Sequence, residues 1–113
     1  MGPWILLALL AFASAARPAS ADETSQVYAY PVPYRPSAGD TRVTFAFLPS
    51  QGSIQIFSAS GEQVSRLDFT DPSDGKLLWN VTNSAGEPLS SGVYIFRVKD
   101  PTGSRTGKIL VIR

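Results

Sequence analysis

Short segments in which apolar and polar residues alternate run along the chain from residue 27 onward. In residues 41–48 (TRVTFAFL), Val43, Phe45 and Phe47 alternate with smaller or polar side chains. A period of two is typical of strands that bury one face. Clusters of Gly, Pro, Asn, Asp and Ser separate the segments, as expected for turns. The predicted strands are residues 27–30, 41–48, 53–56, 62–69, 76–81, 92–99 and 107–113.

The number and spacing of these segments predict an all-β fold, a seven-stranded antiparallel Ig-like β-sandwich over residues 27–113. One strand is irregular, because Val64, Leu67 and Phe69 cannot share a face unless the strand contains a bulge. Large aromatic side chains on strand faces usually supply much of such a core. The aromatic residues expected in the core are Phe45, Phe47, Trp79, Tyr94 and Phe96.

The beginning of the chain has a different pattern, a single apolar run over residues 4–12 (WILLALLAF). Small residues follow the run, and Ala19 and Ala21 complete an A-x-A sequence. This order is typical of a secretory signal peptide, so residues 1–21 are predicted to be a cleaved signal. Cleavage is expected after Ala21, with Ala15 as the alternative site.

The predicted signal implies export, to the periplasm, the cell surface or the extracellular space. Its apolar run is shorter than the about 20 residues that a membrane-spanning helix needs. An uncleaved amphipathic anchor is the alternative interpretation. Residues 22–26 form a polar lead that we expect to be flexible, and no membrane span is predicted after the signal is removed.

The balance of charges argues against nucleic acid as a partner. The chain has ten Lys and Arg residues and nine Asp and Glu residues, and removal of the signal takes away Arg17, which leaves nine of each. The basic residues are scattered along the sequence. Phosphate binding rests on an excess of clustered basic groups, so no nucleic-acid partner is predicted.

The chain contains no Cys and no His, the residues that acid–base and nucleophilic chemistry most often uses at neutral pH. No catalytic residue, cofactor or metal site is therefore predicted, and the protein is not expected to be an enzyme. Asp68, Asp71 and Asp74 are close in sequence and leave a calcium site as an alternative. They lack the EF-hand spacing and lie around a turn-forming stretch, so turn chemistry is the favoured interpretation.

Residues 28–39 (YAYPVPYRPSAG) hold three prolines and three tyrosines. Proline lacks an N–H donor, so this stretch is predicted to be an edge strand and its exit, where prolines discourage pairing with another chain. Two alternatives are open. The stretch contains a PxxP sequence, which SH3-type domains bind as a polyproline helix. Exposed tyrosines at 28, 30 and 34 would suit a sugar-binding platform.

Residues 30–36 (YPVPYRP) resemble the Y-P-N-P-F-x-P opening of C-terminal sorting domains of the type IX secretion system. The related Ig-like domain of the flagellar hook-capping protein shares this pattern. The sequence departs from the usual residues at Val32 (usually Asn), Tyr34 (usually Phe) and Val81 (usually Gly). The match continues through residues 43–45 (VTF) and 48–49 (LP). The remaining matches are residues 54–58 with Gly61 (I-Y-D-x-x-G), residues 79–86 (W-D-G-x-D-x-x-G), residues 91–94 (S-G-V-Y) and residues 108–113 (KILVIR), which resemble the family's last strand.

The resemblance implies a non-catalytic exported module that a protein partner, the export or surface-anchoring machinery, recognises through its terminal strand. Such recognition would use strand addition at a sheet edge. The segment expected to carry it is Lys108, Ile109, Leu110, Val111, Ile112 and Arg113. The alternative is a standalone structural or adhesive interaction module of hook-capping type.

Sorting domains of this family usually follow a much larger cargo domain. Here only five residues, 22–26, separate the predicted cleavage site from the first predicted strand. The expectation is therefore a truncated or split gene product, or a domain that acts by itself.

Overall fold

Two antiparallel β-sheets make up residues 26–113, the part of the chain that the computed structural model describes. The smaller sheet has the strand order β1-β2-β5 and the larger the order β4-β3-β6-β7. In chain order the strands are β1 Tyr28–Tyr30, β2 Val43–Ala46, β3 Gln51–Ser58, β4 Gln63–Thr70, β5 Leu77–Trp79, β6 Gly92–Asp100 and β7 Gly103–Val111. The predicted all-β sandwich is confirmed. The predicted signal peptide, with Ala19 and Ala21, and most of the lead lie outside the described residues.

The core lies between the two sheets and is built from the inward residues of each strand. Phe45 of β2 is completely buried, and its ring centroid lies 6.1 Å from that of Trp79 and 5.3 Å from that of Phe96. The Phe96 contact is edge-on, the geometry that aromatic pairs favour. The regular alternation of β6 is confirmed, because Tyr94, Phe96 and Val98 are buried while Ile95 and Arg97 between them face outward. Three aromatic rings from three strands therefore tie the two sheets together.

The bulge expected in the fourth strand is present at Val64. Gln63 pairs with Phe57 and Ser65 pairs with Ile56, so Val64 has no opposite residue on β3. The extra residue puts Ser65 on the inward face with Leu67 and Phe69 further along. The bulge therefore lets Val64 pack against the core together with Leu67 and Phe69, which strict alternation would not allow.

Strand β7 begins at Gly103, four residues before the predicted start at residue 107. Its first residues are polar, so hydrophobic alternation does not reveal them. They pair with β6 because Asp100 fixes the hairpin turn: its Oδ1 accepts hydrogen bonds at 2.9 Å from the N–H groups of Thr102 and Gly103. Such Asp side-chain bonds to the following backbone are common in turns.

Phe47 is not part of the core, contrary to the sequence prediction. Strand β2 ends at Ala46, and Phe47 adopts a φ of 61°, which interrupts the alternation and turns its side chain outward, leaving it 59% exposed. Leu48 takes the inward position instead, and its N–H donates to the carbonyl of Gly75 at 2.9 Å. Phe47 lies 5.6 Å from the ring of Tyr28, which lies 5.7 Å from that of Tyr30.

These three rings form an exposed aromatic group on the outer side of the smaller sheet. The sequence suggested Tyr28, Tyr30 and Tyr34 for a sugar-binding platform. Tyr34 does not belong to the exposed aromatic group, because its side chain is only 4% exposed.

Gly107 of β7 faces Phe96 across the strand pair, and a methyl group on Gly107 would overlap the Phe96 ring. Gly107→Ala is expected to lower the free energy of unfolding by about 1–3 kcal/mol, because a buried ring must move. The exposed neighbour Thr106 offers a matched control, since Thr106→Ala should change stability by about 0.5 kcal/mol or less. Urea unfolding followed by tryptophan fluorescence measures both. Equal stability of the two variants would contradict this packing.

Candidate recognition site on the terminal strand

The terminal segment 108–113 follows the edge of the larger sheet and is divided between its two faces. Ile109 and Val111 point inward and are 0% and 1% exposed. Lys108 and Leu110 pair with outward residues of β6 and lie on the outer face of the sheet. Two of the six residues in the predicted recognition segment are therefore core, and the side chains of the other four are at least partly exposed.

The backbone edge of this segment is already paired with the proline-rich stretch. After β1, the chain leaves the smaller sheet and reaches the larger one at Tyr34, which forms a parallel bridge with Val111. The N–H of Tyr34 donates to the carbonyl of Leu110 at 2.7 Å, and the N–H of Ile112 donates to the carbonyl of Tyr34 at 2.9 Å. The proline-rich stretch therefore supplies the edge strand β1 of the smaller sheet and also covers the end of β7 in the larger sheet.

Arg113 is held by three contacts beyond the end of β7. Its N–H donates to the hydroxyl of Ser91 at 2.9 Å, and its guanidinium donates to the carbonyl of Leu89. The guanidinium carbon also lies 6.0 Å from the ring centroid of Tyr34, within the range of a cation–π interaction worth about 0.5–1 kcal/mol at an exposed site. The end of the segment is consequently docked on the domain.

The loop that receives Arg113 is fixed by its own hydrogen bonds. Leu89 is buried and its N–H donates to the carbonyl of Val81 at 3.0 Å. The Oδ1 of Asn83 accepts from the N–H groups of Ala85 and Glu87, each at 2.9 Å. Because the loop has these internal anchors, the carbonyl of Leu89 offers a defined position to the guanidinium.

Towards its beginning, β7 keeps an open edge. In an edge strand, the backbone groups of successive residues point alternately to the neighbouring strand and to the free side. The carbonyl of Leu110, which accepts from Tyr34, points to the free side, and so do the backbone groups of Lys108, Thr106 and Ser104. Within residues 26–113 they make no backbone hydrogen bond on that side. A partner strand can pair there, but at residues 110–112 it would have to displace Tyr34.

The acidic residues that the sequence left open for calcium, Asp68, Asp71 and Asp74, do not form a group of metal ligands in the described part of the chain. Asp68 forms an ion pair with Arg66, at 3.1 Å from Nε to Oδ1. Asp71 and Asp74 are exposed residues with positive φ around the turn before β5. Among residues 26–113 no group of three Asp, Glu, His or Cys side chains could hold a metal ion. No helix within the same residues is long and apolar enough to cross a membrane.

The profile of the secretion system C-terminal sorting domains matches residues 29–112. The chain belongs to this family. The match covers the sandwich from β1 to the residue after β7. The family is one of C-terminal sorting domains of a secretion system. The resemblance to the hook-capping domain stays a prediction.

Among solved structures, this sorting domain is similar to PorZ of Porphyromonas gingivalis, described as an essential bacterial surface component of the type IX secretion system. The two are 31% identical with a TM-score of 0.65, over 78% of this chain and 12% of PorZ. Dimeric latent PorU of the same organism shares the fold, with 22% identity and a TM-score of 0.53 over 76% of this chain and 9% of PorU. The chain therefore spans a small fraction of either protein. No curated protein matches it.

Two of the departures from the sorting-domain pattern lie at constrained positions. Tyr34 replaces the usual Phe but keeps a buried ring under Arg113. Val81 replaces the usual Gly and has a φ of 58°, a conformation that glycine adopts freely and a β-branched residue does not. Val81 is fully buried, so its packing offsets this strain.

Removal of the Tyr34 ring is expected to loosen the end of β7. Tyr34→Ala should lower the free energy of unfolding by about 3 kcal/mol, because a buried aromatic ring is lost. The amide of Ile112 should exchange with solvent faster, because the ring anchors the strand to which it donates.

Tyr34→Phe is the matched control, since it keeps the ring and should change stability by about 0.5 kcal/mol or less. Chemical unfolding and amide hydrogen exchange test both variants. An Ile112 amide that stays fully protected in Tyr34→Ala would show that another contact holds the segment.

Proposed function

We propose that this domain is a sorting signal for the type IX secretion system, recognised by a protein of the export or surface-anchoring machinery through residues 108–113. The family match is the observation that carries the proposal. The similarity to a part of PorZ, itself a surface component of that system, supports it. The exposed side chains of Lys108, Ile112 and Arg113, held on a docked strand, give a partner a fixed surface to read.

A reporter fusion tests this function. A periplasmic reporter with its own signal peptide, joined to residues 22–113, is expected to leave the cell of a bacterium with a working type IX system. The same fusion should stay in the periplasm of a strain that lacks the translocon. Retention in the competent strain would contradict the sorting function, provided that the reporter alone is periplasmic in both strains.

The start of the exported chain is a separate prediction. Cleavage after Ala21 should give a mature protein that begins at Asp22, with a start at Ala16 as the alternative. N-terminal sequencing of the exported protein measures this directly. A protein that still begins at Met1 would contradict export by signal cleavage and favour the uncleaved anchor.

A standalone interaction module is the second candidate, and the exposed aromatic group of Tyr28, Tyr30 and Phe47 favours it. Tyrosine and phenylalanine are enriched at protein interfaces. Such a module would be found outside the cell in a stable complex with a partner. It would not carry a fused reporter across the outer membrane.

A further inference from the structure

The route by which a partner reads the terminal segment is restricted by the pairing of Tyr34. The backbone groups of residues 110–112 that face the free side are already hydrogen-bonded. Ile109 and Val111 are buried between the sheets. Leu110 therefore offers a partner chiefly its side chain, which lies beside that of Lys108 on the outer face of the larger sheet.

One half of this outer face is apolar. Lys108 lies opposite Ile95, which in turn lies opposite Phe57, and Leu110 lies opposite Val93. Val93 is 43% exposed, while Ile95, Phe57 and Leu110 are half-buried. Side chains directly opposite on neighbouring strands are in contact distance, so these four form one continuous patch with Lys108 at its rim.

The other half of the face is polar and basic. Within the described residues, the basic side chains on the outer face of the larger sheet are Arg66, Arg97, Lys99 and Lys108. The acidic side chain there is Asp68, which forms an ion pair with Arg66. Arg97 and Lys99 are exposed; Arg97 adjoins the apolar patch at Ile95 on β6, and Lys99 is the next outward residue along the strand. The rows across the strands are Arg66, Gln55, Arg97 and Thr106, and then Asp68, Ser53, Lys99 and Ser104.

Given the sorting function, on which this inference rests, we propose that the outer face of β4-β3-β6-β7 is the docking surface for a protein partner. That partner presents an apolar patch bordered by carboxylates, complementary to the Val93 patch and to Arg97, Lys99 and Lys108. An apolar centre with a charged rim is the anatomy of protein interfaces, and complementary rim charges raise the association rate and specificity.

The chemistry of the face favours a protein over other anionic partners. An acidic polysaccharide would use the basic half and leave the apolar half without a contact. A membrane surface is bound best by apolar side chains that reach below the headgroups. Here the apolar residues lie flat on a sheet, and three of the four are half-buried.

The outer face of the smaller sheet supplies a matched control. It carries the exposed aromatic group, the exposed Leu78, and two exposed basic residues, Arg42 and Lys76. It therefore resembles the proposed docking face in composition, but it lies on the opposite side of the sandwich from Lys108 and Leu110.

The test uses the reporter fusion to residues 22–113, because residues 26–113 form two packed sheets with a core between them. Two variants change the docking face: Arg97→Glu with Lys99→Glu, and Val93→Asp. Each is expected to lower the amount of reporter outside the cell by about tenfold or more, as for loss of an interface contact. The controls Arg42→Glu with Lys76→Glu, and Leu78→Asp, should leave export within about twofold of the parent fusion.

Thermal melting of each purified domain shows whether it is folded. If a docking-face variant does not fold, Arg97→Gln with Lys99→Gln is used in its place. Unchanged export of folded docking-face variants would overturn the inference, and the parent fusion would still support the sorting function. Loss of export in the control variants as well would also overturn it. Failure of the parent fusion itself would instead remove the proposed function.

A direct binding measurement separates the classes of partner. The purified domain is incubated with vesicles of phosphatidylcholine and phosphatidylglycerol, and with alginate as an acidic polysaccharide. No binding to either probe at physiological salt is expected. Binding to either one that Arg97→Glu with Lys99→Glu abolishes would overturn the assignment to a protein partner.

Discussion

The parallel pairing of Tyr34 with the end of β7 is the contact on which the terminal half of this domain depends. Through β1 the first part of the chain belongs to the smaller sheet, and through Tyr34 it belongs to the larger one. The same residue places a ring beneath Arg113. Loss of this contact would open the edge of β7 at residues 110–112. The first and last parts of the described chain therefore stabilise each other.

The strands that bury one face could be predicted from the sequence, because burial imposes a period of two on their side chains. Strand β6 follows this rule throughout. In β4 the break in the alternation predicted the bulge. Phe47 broke the rule, since the positive φ that ends β2 and the bond from Leu48 to Gly75 are tertiary features. The polar start of β7 was missed because its pairing depends on the turn that Asp100 stabilises.

The candidate site was only partly visible in the sequence. The family motif points to residues 108–113, but it does not say that alternate members of this segment are core. Nor could any local pattern reveal that Tyr34 covers the edge, since the two strands are far apart along the chain. At Val81, by contrast, the glycine that is usual in the sorting-domain pattern indicates a left-handed backbone conformation, and Val81 adopts that conformation.

Recognition of residues 108–113 through the proposed surface would require the folded domain. Lys108 and Leu110 share an outer face only when Ile109 and Val111 are packed between the sheets. Their neighbours Ile95 and Val93 come from another strand, so the proposed surface does not exist in an isolated peptide of the same sequence. Machinery that reads this face reads the folded domain. A sorting signal of this kind would therefore favour export of chains whose terminal domain has folded over chains that merely end in the right residues.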